Sequence, residues 1–84
     1  MTKMISKEEL LEAIEMVMDD NLEDAHRIVQ HYDCPEASWF HAFLHRKEGD
    51  TWNANYWYEK AGRTMPTKSL NAELEEIRAW VENM

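Results

Sequence analysis

The sequence predicts an all-α domain of about five helices, built as two stacked antiparallel hairpins and a closing helix. Three observations lead there. Apolar residues recur at spacings of three and four and not of two. The two glycines of the chain fall at the ends of periodic segments. The chain also matches itself when shifted by 29 residues. Its 84 residues make a single domain, 1–84. A chain of this size buries only about 60% of its unfolded surface, which leaves little material for a deep cleft between subdomains.

The first helix is expected over about 6–19. Ser6 and Glu9 have the spacing of a capping box, and Ile5 and Leu10 that of a hydrophobic staple. Leu10, Leu11, Ala13, Ile14, Val17 and Met18 form its inward stripe, with Glu8, Glu12, Glu15 and Asp19 opposite. Asn21 is placed to cap a second helix with Leu22, Ala25, Ile28, Val29 and Tyr32 facing inward, so the first hairpin spans about 6–32. Asp33-Cys34-Pro35 ends it and starts a third helix over about 35–48, because proline suits the first helical turn and keeps its predecessor extended. Gly49 supplies a left-handed C-cap and Asp50 an N-cap, so a fourth helix of about 51–61 completes the second hairpin, about 35–62. After Pro66, the closing helix of about 67–83 aligns Leu70, Leu74, Ile77, Trp80 and Val81.

The 29-residue shift pairs Ala13 with Ala42, Ile14 with Phe43, Asp20 with Gly49, Asn21 with Asp50, Ala25 with Ala54, Ile28 with Trp57 and Val29 with Tyr58. Small residues at such crossings let helix backbones approach closely. In the second hairpin, Ala42, Gly49-Asp50, Ala54, Tyr58, Ala61 and Pro66 stand at the spacings of a tetratricopeptide or Sel1-like repeat, and Asn-Tyr-Trp-Tyr-Glu-Lys-Ala-Gly is similar to the core of Sel1-like units. The resemblance covers about 35–66 well and the first hairpin loosely. The run His-x3-His-Arg-x-Glu-Gly-Asp-x2-Asn-Ala-x-Tyr-Trp-Tyr also resembles a segment of small proteins to which no activity is attached. Where the repeat family carries a leucine and an aromatic, this chain has His41 and His45, and Trp39 stands beside the position of a bulky residue, Ser38.

Charge narrows the function classes. Seventeen acids against nine Lys and Arg give a net charge of −8, and a phosphate backbone repels such a molecule, so nucleic acid is not an expected partner. No stretch approaches the roughly 18 apolar residues of a membrane span. One cysteine excludes an internal disulfide, and the first residues lack the apolar core of a secretory signal, so a cytoplasmic location is expected. The charge is unevenly spread: residues 1–36 sum to −7, residues 37–68 to +2 and residues 69–84 to −3. The middle is a basic, aromatic island.

That island holds too many large rings for one thin helical layer, so some are expected at the surface beside cations, the composition of an interaction hot spot. In repeats of the family it resembles, first helices line a concave face. The resemblance therefore implies that Trp39, Phe43, Arg46 and Lys47 lie near a groove, with Tyr56 and Trp57 on the neighbouring helix. The expected function is a protein-interaction or adaptor module that grips an acidic peptide, terminus or helix, with a homodimer through the same face as its close variant. No cofactor is expected.

The alternative is a small-molecule site or minor enzyme in which His41 and His45, four apart on one helix face, act as acid and base, with Asp50 or Glu48 orienting an imidazole and Asn53 and Tyr56 holding substrate. Purely structural histidines, bonded to Asp50, Asn53, Glu48 or Tyr58, are the plainer reading. A metal reading meets obstacles. His41 and Glu48 are about 10.5 Å apart along the helix axis, and Ala42 removes the His-Glu-x-x-His pattern. His26, His31 and Cys34 lack a fourth ligand and a favourable spacing. The Glu8-Glu9-Glu12-Glu15 ladder reads as a solvated helix face.

Overall fold

The computed structural model describes residues 4–84 and confirms the all-α class: α1 (Lys7–Met18), α2 (Leu22–Val29), α3 (Pro35–Glu48), α4 (Thr51–Lys60) and α5 (Leu70–Glu82). Local chemistry starts α1, α3 and α4. The Ser6 hydroxyl accepts from the Glu9 N–H at 3.1 Å while the Glu9 carboxylate accepts from the Ser6 N–H at 3.5 Å, so the capping box is formed. Cys34 is extended, at φ −67° and ψ 158°, as a residue before proline must be, and Pro35 opens α3. Asp50 caps α4 by accepting from the Asn53 N–H.

Residues 29 apart also share backbone conformation. Asp20 and Gly49 are both left-handed, with φ of 65° and 83°. The Asp20 and Asn21 N–H groups donate to Val17 and Met16, and those of Gly49 and Asp50 donate to Arg46 and His45 in the same pattern. Ala13 and Ala42, and Ala25 and Ala54, are fully buried. The two inter-helix turns therefore share one backbone pattern.

Three local expectations need correction. Helix α2 ends at Val29 and not near residue 32, because the chain must extend before Pro35; Tyr32 folds back from the turn and donates its hydroxyl to Glu9 at 2.9 Å. Asn21 stands at the N-cap of α2 but makes no cap bond, its amide donating to the Asp24 carboxylate at 2.7 Å. Helix α5 starts at Leu70, three residues later than expected, because the Ser69 hydroxyl accepts from the Ala72 N–H.

The larger correction concerns α3. Helix α1 packs on α2 and α3 on α4, α2 also meets α3, and α5 lies across both α1 and α3. With α2, α4 and α5 around it, α3 is a central helix, buried at every residue from Ala37 to Leu44. Trp39, 2% exposed, is part of the core, and Phe43, 1% exposed, reaches only the floor of the groove that Lys47 also lines. Arg46 is also withdrawn: its guanidinium donates to Glu73 at 2.8 Å, and Glu73 is fully buried on α5. The same carboxylate accepts from the Trp39 indole at 3.2 Å and from the Tyr58 hydroxyl, joining α3, α4 and α5. The Arg63 guanidinium covers the Trp39 ring, 3.3 Å from its centroid. Lys47 is half-buried at a groove between α1, α3 and α5. Among the described residues, no helix is long and apolar enough to cross a membrane.

Candidate functional site

The four-residue spacing of His41 and His45 on α3 stacks their rings, with centroids 5.0 Å apart and planes 19° from parallel. Helix α2 supplies a third ring. His26, which follows the fully buried Ala25, meets the pair edge-on. The Nε2 atoms of His26 and His41 are 3.0 Å apart. One ring nitrogen from each of the three histidines lies within 4.8 Å of the other two. Trp57 of α4 stacks on His41 with centroids 3.9 Å apart, which fixes the plane of that ring.

His41 is 3% exposed, whereas His26 and His45 reach an open cleft of about 340 Å³ that they share with Leu22, Glu23 and Glu48. Two carboxylates approach the outer nitrogen of His45: Nδ1 lies 3.5 Å from Glu48 Oε1 and 3.7 Å from Asp50 Oδ2. Asn53 fixes Asp50 by donating its side-chain amide at 2.7 Å and its backbone N–H at 3.3 Å. These bonds hold the Asp50 carboxyl below its ordinary pKa. Nδ1 of His41 and Nδ1 of His45 are buried without a hydrogen-bond partner. Buried polar atoms are rarely left so.

Burial, reinforced by the neighbouring His26 and His45, pushes His41 down to about 3, and burial first and His45 second also lower His26. Both rings are neutral at neutral pH, with lone pairs available. An unfolded chain protonates these rings near the ordinary value of about 6.5. Between that value and about 3 the unfolded state therefore binds more protons than the folded one, and stability falls as pH is lowered. Each histidine contributes at most about 1.4 kcal/mol per pH unit, less where water at the cleft screens it. Urea unfolding at pH 7 and pH 5.5 should show this loss, and a His41→Gln variant should lose much of the dependence. An equal slope in that variant would contradict the assignment to His41.

Of the residues singled out in the sequence, the structure brings together His41, His45, Asp50, Glu48, Asn53 and Trp57. Outside this cleft lie Trp39 and Arg46, which are bonded to Glu73, Phe43, which floors the groove beside Lys47, and Tyr56, on the outer side of α4 and 45% exposed. Tyr58 serves Glu73 and not a histidine. The grouping of His26 with His31 and Cys34 does not form: His31 is exposed beyond the end of α2, and Cys34 is buried at the start of α3. The true partner of His26 is the pair on α3. Its signal was its position, four residues after Leu22 and directly after Ala25, on the edge of the inward face of α2. No family model, curated protein or solved structure matches the chain.

Proposed function

We propose that the protein binds a small ligand in the cleft where His26, His41 and His45 converge. The observation that carries this reading is the convergence itself: the Nε2 atoms of His26 and His41, from two helices, meet at 3.0 Å, with a ring nitrogen of His45 within 4.8 Å, beside an open cleft. Apolar residues would pack this junction with no unsatisfied atoms, so the histidines are costly unless they have a use. His41 is fixed by Trp57, and His45 at the cleft is oriented by Glu48 and Asp50. This retains the His41/His45 pair of the sequence reading and adds His26. The lone, buried Cys34 thiol supports a cytoplasmic setting.

The test is an NMR titration of the labelled full chain with a panel of metabolites and metal salts. Shifts should concentrate at Leu22, His26, His45 and Glu48. Shifts confined to the groove beside Leu70 and Leu74, or none with any compound, would refute the reading.

A second reading keeps the adaptor role and moves it to the outer face of α4. Trp52 is 76% exposed and its ring is nearly parallel to that of Tyr56, 6.5 Å away, with the Lys60 ammonium 5.7 Å from the Tyr56 centroid. Exposed aromatics beside a cation support an acidic peptide or a second copy of the chain as partner. Light scattering separates these occupants. A strictly monomeric protein whose partners are all retained after Trp52→Ser with Tyr56→Ser would rule this reading out.

A further inference from the structure

We infer that the occupant of the cleft is one divalent transition-metal ion, zinc or a metal of similar preference, held by one nitrogen each of His26, His41 and His45 with a further coordination position open to the cleft. This rests on the cleft being a ligand site, as proposed above, and names its ligand.

Distance comes first. Two imidazole nitrogens bound to one tetrahedral zinc at about 2.0–2.1 Å lie roughly 3.3 Å from each other. The His26–His41 separation is 3.0 Å, and the third nitrogen is within 4.8 Å of both. Only a modest ring movement is needed to close the set, and His45, at the cleft, is the ring with room to make it. An ion would replace the direct His26–His41 contact by two bonds to the metal, with a third from His45.

The donor set selects the kind of ion. Three imidazoles suit zinc, copper, nickel or iron, while magnesium and calcium require oxygen ligands. Charge selects a cation over an anion. The cleft walls contribute the carboxylates of Glu23 and Glu48. Those walls repel an anion and attract a metal.

The surroundings match those of a ligating histidine, which ordinarily directs its other nitrogen to a carboxylate or carbonyl. Glu48 and Asp50 occupy that place beside His45, and Asn53 holds Asp50. Glu48 therefore belongs to the site as a positioning residue and not as a ligand, consistent with its separation from His41 along the helix. Among the described residues the cluster comprises three side chains, and a protein set of three leaves a tetrahedral ion one position for water or an added ligand.

The experiment titrates metal-free full-length protein with zinc in competition with a chromophoric chelator, and with cobalt followed by its visible spectrum. The expected result is one tight equivalent and the intense visible bands of low-coordinate cobalt. His26→Ala and His45→Ala, each checked for fold by circular dichroism, should weaken zinc by more than about 100-fold, beyond the usual cost of losing an outer partner. His26→Gln serves if either alanine variant fails to fold. Glu48→Gln should weaken zinc by roughly 10–100-fold, and His31→Ala should have no effect. Absence of a stoichiometric zinc site, binding that survives both His26→Ala and His45→Ala, or loss on His31→Ala overturns the metal assignment. If zinc fails while inorganic phosphate or a metabolite shifts His26 and His45, the metal is wrong and the ligand site stands. If nothing shifts them, both fall.

Discussion

Replacing Glu73 with alanine is expected to destabilise the fold by about 3–5 kcal/mol, the usual cost of removing one partner from a buried ion pair. For a domain of this size that lowers the thermal midpoint by more than roughly 12 °C. The reason lies in the number of donors that share one carboxylate. The Arg46 guanidinium binds Oε1 at 2.8 Å, and the Trp39 indole N–H and the Tyr58 hydroxyl both donate to Oε2. Burial and the adjacent carboxylate push the Tyr58 hydroxyl far above its ordinary value, so it remains a donor. Without Glu73, a cation with a side chain only 17% exposed and two buried donors lose their acceptor at once. Glu73→Gln should fall between wild type and alanine, since an amide oxygen can still accept but no longer balances Arg46. Urea unfolding with an alanine cost below about 1 kcal/mol would show that these contacts are replaceable.

Saturating zinc is expected to have the second large effect, in the opposite direction. An ion that binds the folded state alone adds about 2.7 kcal/mol at a free concentration 100 times its dissociation constant. In a domain this small the thermal midpoint should rise by roughly 10–20 °C. The structural cause is a bond between the two hairpins: His26 belongs to α2, and His41 and His45 to α3. Chelator should reverse the shift, and His45→Ala should abolish it. Melting curves that coincide with and without zinc in the wild-type protein would contradict this expectation.

Much of the fold was legible because its signals are local. Ser6 with Glu9, Pro35, Gly49 and Asp50 each act on the backbone within four residues, and each does in the structure what its chemistry dictates. Boundaries failed where a nearby alternative competed: Ser69 took the cap that starts α5, and the extension before Pro35 shortened α2. The rotation and depth of α3 were not legible, because the sequence does not show how many neighbours a helix has. Eight consecutive buried residues, Ala37 through Leu44, follow only from packing on three sides.

Glu73 and His26 share a second reason. Glu73 lies three residues after Leu70 and four before Ile77, on the apolar stripe of α5. An acid there requires a buried cation, and Arg46 was read as a surface clamp, so the pair was not seen. His26 stands on the edge of the inward face of α2, 15 residues before His41. Spacing along one helix joined His41 to His45, whereas the third ring arrives only when α2 docks on α3. Contacts between helices carry the site, and periodicity within a helix reports only half of it.

The convergence of His26, His41 and His45 on one metal is tested most directly by an anomalous difference map from crystals grown with stoichiometric zinc, recorded on both sides of the zinc absorption edge. A single peak about 2.0–2.1 Å from one nitrogen of each of the three rings is expected, with non-protein density at the coordination position facing the cleft. Peaks only along the Glu8-Glu12-Glu15 face, or none between the rings, would contradict it.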